Sequence, residues 1–268
     1  MKMIGSTLLT VFFAATSIFA QDKTFQVGEF DKVIISPHIA VVLVEGDDTG
    51  VTIENSKVAM DKINVKVEGS TLRVYLDGAK TVTKSERVSS DNWRGKRAIY
   101  NGTMATATIT YKTLKNLSIR GEEIVKCKST LDQEDLKISL YGETKVYFNG
   151  MVLENLTVAI YGSSYLEIGE GNVQRQIFRA YGESEVNTIG LSNVETKITA
   201  YGESNFRVKV SDRLKVTCYG ETTINYEGDP EVDNGIIIGE AKVRKIGSST
   251  YMAVSYTHLT LPTRCHRC

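Results

Sequence analysis

Apolar and polar residues alternate with a period of two along most of this chain, and the alternation itself repeats. From Arg120 to Glu240 a short phrase returns seven times: Arg120-Gly121-Glu122, Tyr141-Gly142-Glu143, Tyr161-Gly162-Ser163, Tyr181-Gly182-Glu183, Tyr201-Gly202-Glu203, Tyr219-Gly220-Glu221 and Ile238-Gly239-Glu240. Successive glycines are 21, 20, 20, 20, 18 and 19 residues apart. Two positions before each glycine stand Ile119, Leu140, Ile160, Ala180, Ala200, Cys218 and Ile237. Four before stand Leu117, Ile138, Val158, Phe178, Ile198 and Val216, with Gly235 breaking the column. Four after stand Val125, Val146, Leu166, Val186, Phe206, Ile224 and Val243. Polar residues such as Lys137, Ser139, Lys197, Thr199, Lys215 and Thr217 separate the columns.

This alternation marks short, half-buried strands, and the Gly, Asn, Asp and Ser between them supply turns. No segment of helical length carries an amphipathic stripe. A fixed period of about 20 residues marks stacked units that bury their apolar face only against their neighbours. The pattern therefore predicts an all-β fold: a single-stranded parallel β-helix, a solenoid with roughly three short strands per coil. The competing β-sandwich has Greek-key irregularity and a turn every 8–12 residues or so, not one register held through every coil.

From Phe25 to Leu76 the same habits continue less regularly. Phe30–Ile35, Ile39–Val44, Val51–Ile53, Ile63–Val67 and Leu72–Leu76 are expected strands, read as atypical opening coils that cap the stack. The stretch Lys80–Arg97 is polar, carries the sole Trp, Trp93, and is expected to bulge out as a loop. Trp93 is read there as a lid over an end of the stack or as an exposed contact residue.

The two ends differ from the middle. Residues 1–20 have Lys2, an apolar run through Phe19, and small residues Ser17 and Ala20 suited to cleavage before Gln21. That is the layout of a secretory signal peptide, too short for a membrane span. Residues 21–253 form the expected β-helix domain. Residues 254–268 break the repeat, the composition and the charge pattern together, and resemble translated sequencing-adaptor read-through; they are expected to be non-native, the alternative being a short natural basic tail. That tail holds Cys265, Cys268, His258 and His266, too few ligands for a complete zinc site. Without Lys2, Arg264 and Arg267 the chain has 29 basic and 32 acidic residues. A mildly acidic surface argues against nucleic acid and anionic lipid as partners.

Two rows carry candidate chemistry. Tyr141, Tyr161, Tyr181, Tyr201 and Tyr219 follow the inward column, so alternation turns them outward, about 4.8 Å apart between coils. They form either a stacked structural ladder or an amphipathic strip for sugar rings or a protein partner. Glu122, Glu143, Glu183, Glu203, Glu221 and Glu240 form the second row, with Ser163 as the exception. A solvated turn, calcium bridging and a glycosidase-like carboxylate pair are its three readings. Repetition favours the first, because an active site needs one coil to differ from the rest. His38 beside Pro37 has no His, Cys or Asp neighbour in sequence to support catalysis. Cys127 and Cys218 lie too far apart in the repeat to bridge, and Cys218 belongs to the inward column. No phosphate-binding, dinucleotide or nucleophile-elbow motif occurs. Catalytic residues, metal ligands and cofactors are all expected to be none.

The ordered set Phe30, Val33-Ile34-Ile35, Ile39, Val41-Val42-Leu43-Val44-Glu45-Gly46, Thr108-Ile109-Thr110-Tyr111, Leu114 and Leu117 precedes coils of the form Gly-x-Ser/Thr. Ile224-Asn225-Tyr226-Glu227-Gly228-Asp229-Pro230 closes it. Together these resemble the head GIN domain family of auto-transporter adhesins, across nearly all of residues 25–252. The resemblance implies a three-sided β-helix exported from Gram-negative bacteria, with no established activity and no catalytic residues to transfer. No outer-membrane barrel is read after the repeat, and Tyr-Gly-Glu corners replace the smaller Ser-Gly-type corners usual in that family.

The functional expectation is an exported, non-enzymatic β-helix for adhesion or surface binding, located in the periplasm, on the outer-membrane surface or outside the cell. The alternative is a polysaccharide-binding or polysaccharide-degrading β-helix. A glycan or a cell-surface protein is the expected partner, with no nucleic acid and no membrane span in the mature chain.

Overall fold

The computed structural model describes residues 22–90 and 93–247, with side chains left undescribed at 89, 90, 93 and 94. The expected signal peptide (1–20) and the tail (254–268) lie outside the described residues, as does the side chain of Trp93. The first half holds β1 (Lys23–Gln26), β2 (Lys32–Ile35), β3 (Ile39–Glu45), β4 (Gly50–Ser56), β5 (Ile63–Glu68), β6 (Thr71–Leu76), β7 (Ser85–Ser90), β8 (Trp93–Ala98) and β9 (Ala105–Tyr111). The repeat follows as β10 (Asn116–Gly121), β11 (Ile124–Gly142), β12 (Lys145–Gly162), β13 (Tyr165–Tyr181), β14 (Ser184–Glu227) and β15 (Glu231–Lys245). A 3-10 turn at Met60–Lys62 is the sole helical piece among the described residues.

The repeat winds into one parallel β-solenoid. β10 through β15 pair each with the next, every pairing parallel. Gly121 meets Gly142 and Gly142 meets Gly162, and Tyr141, Tyr161, Tyr181 and Tyr201 stand opposite one another in turn. The uneven repeat lengths are absorbed by bulges. β12 follows β11 at an offset of 21 at Val125–Val146 but 20 after Thr130, with the register shift between Cys127 and Thr130. A second shift falls between Val216 and Cys218. An extra residue that bends one strand leaves the columns on either side in phase.

Those columns form the core. In β12, Val146, Phe148, Met151, Leu153, Leu156, Val158 and Ile160 are all buried. Apart from Ala159, buried within the strand between Val158 and Ile160, alternation lapses where Gly150 and Met151 are both buried and where neither Glu154 nor Asn155 is. These are the places where the chain turns, so a coil has three sides. Each fully buried Leu, Ile or Phe contributes about 1.5–3 kcal/mol. At the far end Ile237 of the inward column is 40% exposed, because no described coil stacks beyond β15.

The third corner is the Gly of the repeated phrase. Gly162 has φ +122, and a Cβ there would lie 2.4 Å from the carbonyl oxygen of Gly142 in the coil below. Only a residue without a side chain meets both demands at once. The repetition of glycine at 18–21-residue steps is thus the sequence trace of one corner stacked on itself.

The opening segment departs from expectation in one respect. β2 and β3 do run parallel to the repeat, β2 beside β10 and β6, and β3 beside β11 and β9. β4, however, pairs antiparallel with β9 and β1, and β5 antiparallel with β6. The stack therefore ends in reversed strands rather than in further coils, which covers an edge that would otherwise stay open to another chain. Lys80–Arg97 also differs from expectation: β7 and β8 form an antiparallel hairpin in a sheet of their own. Backbone pairing is indifferent to side-chain polarity, so a polar composition does not preclude it.

Candidate functional site: the tyrosine ladder and the corners beside it

The five tyrosines make one continuous stack. Ring centroids lie 5.0, 5.0, 5.0 and 4.6 Å apart from Tyr141 to Tyr219, with planes within 8° of parallel. The Arg120 guanidinium covers the free face of Tyr141 at 4.3 Å, and Ile238 follows Tyr219 in register. The geometry follows from the fold, since equivalent residues on parallel strands are held one strand spacing apart. It also limits the chemistry. Each inner ring has both faces against another ring, so the strip shows solvent its ring edges and hydroxyls. Tyr161, Tyr181 and Tyr201 are 42%, 37% and 39% exposed. What the ladder offers a partner is a straight row of phenol groups, each able to donate and accept a hydrogen bond.

Behind the ladder, inside the corner, lies a row that the sequence reading did not assign to the core. Thr144, Ser164, Ser184, Ser204 and Thr222 follow the glycines by two positions and are buried. Ser164 Oγ donates to the Gly142 carbonyl at 3.0 Å, and Ser184 and Ser204 donate to Gly162 and Gly182 at 3.4 Å. Each of these three serine hydroxyls bonds a corner carbonyl of a lower coil, whereas Thr144 donates to Ser164 Oγ at 3.3 Å and Thr222 accepts from the Cys218 thiol at 3.1 Å; these bonds offset the cost of burial. The signal was present: alternation puts this position on the same side as the apolar residue two further on.

The glutamates stand on the other flank. All six are exposed, as is Ser163. Glu183, Glu203, Glu221 and Glu240, with Glu185 of the adjoining strand, line an open groove of about 480 Å³. Glu240 pairs with Lys242 at 3.0 Å. Among the described residues no group of three or more His, Cys, Asp or Glu is placed to hold a metal ion. Tyr165 lines the same groove, and its hydroxyl donates to Glu167. Burial, and then that bond to a carboxylate, push the Tyr165 phenol up to about 12.

His38 turns out to be a mounting residue. It sits at φ 73, unusual for a residue with a side chain. Nδ1 donates to the Gly102 carbonyl at 2.8 Å, and Nε2 accepts from the Thr83 hydroxyl at 2.6 Å. Since a carbonyl can only accept, the neutral ring carries its proton on Nδ1. Buried Glu123 lies 3.7 Å from Nδ1 and accepts the Glu122 N–H at 3.0 Å. Thr83 and Gly102 flank the β7–β8 hairpin, so one imidazole ties both of its legs to the solenoid. Nothing local in the sequence signals these partners, which lie 45, 64 and 85 positions from His38.

The two candidate rows come together along a single corner; Cys218 sits behind it, its thiol donating to the Gly220 carbonyl at 3.4 Å, while Cys127 does not join them and His38 stands apart at the hairpin base. Cys127 and Cys218 are free and buried. Burial raises the Cys127 thiol, which lies 3.4 Å from the Tyr111 hydroxyl.

Solved structures share this architecture. A “putative adhesin” from Bacteroides fragilis NCTC 9343 superposes with a TM-score of 0.70 at 19% identity, over 84% of this chain and 96% of that one. A “putative lipid binding protein” from Parabacteroides distasonis ATCC 8503 gives 0.58 at 17% identity, over 84% and 96%. A “putative adhesin” from Parabacteroides merdae ATCC 43184 gives 0.51 at 18%, over 84% and 95%. At such identities the likeness is one of fold. No curated protein sequence matches the chain. The family model described as “putative auto-transporter adhesin, head GIN domain” matches residues 29–230. With that match laid over the coils and capping strands described above, the chain belongs to the head GIN domain family.

Proposed function

We propose that this protein is an exported, non-enzymatic binding module whose tyrosine face, Tyr141 to Tyr219, receives a glycan lying along the solenoid axis. The observation that carries the reading is the row of outward phenol edges at one strand spacing. A partner that repeats polar groups along its own length can meet such a row many times over. The row of phenols is the same from coil to coil, which suits a repeating partner better than a small substrate. Beside the ladder the same sheet carries small residues, Ser139, Ala159, Thr199 and Thr217, interrupted by Arg179. The family's adhesin description is consistent with binding at a surface and with export. Among the described residues no helix is long and apolar enough to cross a membrane.

The test is a glycan array probed with the intact chain and with Tyr161→Phe/Tyr181→Phe/Tyr201→Phe. Phenylalanine keeps the stack and removes only the hydroxyls. Binding that survives the triple substitution unchanged ends the proposal. Release of sugar fragments, abolished by Glu203→Gln, points instead to a polysaccharide-degrading enzyme. Capture by lipid vesicles, with no glycan bound, points to a lipid ligand.

A further inference from the structure

The tyrosine face extends past the ladder toward the capped end of the stack. Strand register places Lys32 of β2, Asn116 of β10 and Lys137 of β11 in one outward column, and Arg73, Ile34, Ser118 and Ser139 in the next. Their inward neighbours Val33, Leu72, Leu117 and Ile138 are buried, so parity turns both columns to solvent. Arg120 continues the tyrosine column beyond Tyr141. Together β6, β2, β10 and β11 form a shallow groove of about 290 Å³, with Lys32, Asn116 and Lys137 along it and Ser118 and Ser139 beside them.

The charge of this face is one-sided. From β6 to the part of β14 that carries Tyr201, its three outward columns hold Lys32, Arg73, Arg120, Lys137, Arg179 and Lys197 and no Asp or Glu. Among the described residues none of the six enters an ion pair. The acids nearest the groove in sequence are engaged elsewhere: Asp31 with Lys115 at 3.9 Å, and Asp135 with the Asn155 amide at 2.9 Å. At the far end Lys215 pairs with Asp233 at 3.0 Å, which closes the line. A formal net charge of +0 for the chain thus conceals a basic face, with the glutamate row on the other flank of the corner.

We propose that this groove takes an anionic substituent, a carboxylate or a sulfate, of an acidic glycan that continues along the tyrosines. The inference rests on the glycan reading of the tyrosine face and names the class of glycan. Lys32 and Lys137 stand two strand spacings apart, about 10 Å, with Asn116 between them. Two ammonium groups on flexible stems can converge on one anion across that span, and the Asn116 amide lies between them as a further donor. The groove occurs once, so it sets where the polymer begins on a face whose coils otherwise repeat. Nucleic acid fits less well. The face offers about one cation per coil of about 4.8 Å, against a duplex phosphate about every 1.7 Å. Single strands are held by bases stacked on aromatic faces, whereas the inner tyrosines present only their edges.

Polygalacturonate and dextran sulfate are the probes, with neutral dextran as reference, titrated into the intact chain between about 50 and 200 mM salt. One of the acidic polymers is expected to bind at least roughly tenfold more tightly than dextran, and which one does so identifies the substituent. Lys32→Ser/Lys137→Ser should remove most of that preference and flatten the salt dependence. Its melting temperature should not change, because both side chains are exposed and outside any ion pair among the described residues. Lys32→Arg/Lys137→Arg should keep the preference. Lys126→Ser/Lys145→Ser makes the same change in net charge at exposed positions beyond the corner and should leave binding as it is. Equal weakening by both serine pairs overturns the proposal. Equal affinity for dextran and the acidic polymers, lost on Tyr161→Phe/Tyr181→Phe/Tyr201→Phe, overturns this proposal and leaves the glycan reading standing. Binding of no glycan at all overturns both. Capture of single-stranded DNA with neither acidic polymer bound overturns it in favour of nucleic acid.

Discussion

Tyr181→Ala asks how much the ring stack contributes to holding the corner of the solenoid. Tyr181 meets Tyr161 and Tyr201 at 5.0 Å, with planes 1° and 5° from parallel. A stacked aromatic pair contributes about 0.5–1.5 kcal/mol beyond the area it buries, so losing two contacts costs about 1–3 kcal/mol. The ring is 37% exposed, and truncation at an open surface leaves no enclosed cavity, so the added penalty of a buried truncation does not arise. For a domain of this size each kcal/mol moves the melting temperature by about 2–4 °C, which gives a fall of about 2–12 °C. Tyr181→Phe keeps both ring contacts, and no hydrogen bond of its hydroxyl is found among the described residues; its expected shift is near zero. Tyr219→Ala loses a single ring contact, the one at 4.6 Å to Tyr201, and should fall about half as far. Thermal melts followed by circular dichroism, checked against urea midpoints, provide the three numbers. Equal falls for Tyr181→Phe and Tyr181→Ala, or no fall for the alanine, refute stacking as the source of stability.

Three further outcomes are expected. Gln176 is fully buried, its Nε2 has no partner, and its column neighbours are Leu156 and Thr196. Gln176→Leu removes an unsatisfied group that costs about 1–3 kcal/mol, set against one bond from Thr188 at 3.3 Å; the urea midpoint should rise, and a drop would contradict the cost assigned to that nitrogen. Gly162→Ala forces φ +122 on an alanine and puts its Cβ 2.4 Å from the Gly142 oxygen. Strain of about 1–3 kcal/mol plus displaced coils should lower the melting temperature well beyond Ser163→Ala at the neighbouring exposed position. The Tyr165 phenol rises from 10.0 to about 12 on folding, so folding favours its protonated form. That contribution is whole below about pH 10 and disappears as the pH climbs toward 12. Tyr165→Phe should flatten the alkaline loss of stability in that window, and an unaltered profile counts against this origin.

The solenoid was legible because three independent columns and the glycine register agreed. Parity along each strand placed Val158 and Ile160 inward and Tyr161 outward, as the structure has them. Stacking of the tyrosines followed from their common position in coils of nearly equal length. Direction was not legible: β4 and β5 carry the same apolar alternation as β2 and β3 yet run antiparallel to their partners. Parity reports which face a residue occupies and says nothing about which way the neighbouring strand points. The hairpin stayed hidden for a related reason, since its strands are held by backbone bonds and bury little. Ser164 and Ser184 were visible as a recurrent Gly-x-Ser/Thr, but polarity alone does not assign such a residue to the core; the carbonyls of Gly142 and Gly162 in the lower coils make its burial possible. The role of His38 needed partners brought together from distant segments.

Repetition also restricts what the tyrosine face can specify. A row in which each coil resembles the next cannot fix where along it a polymer sits, because a shift of one coil restores nearly the same contacts. Affinity for a repeating glycan should therefore grow with the number of coils its chain spans, since each further contact becomes intramolecular. Oligomers of increasing length, titrated into the intact chain, should bind progressively more tightly until they reach from Tyr141 to Tyr219, and Tyr161→Phe/Tyr181→Phe/Tyr201→Phe should remove that dependence. An affinity that does not change with oligomer length would show that the tyrosine row does not act as one extended surface.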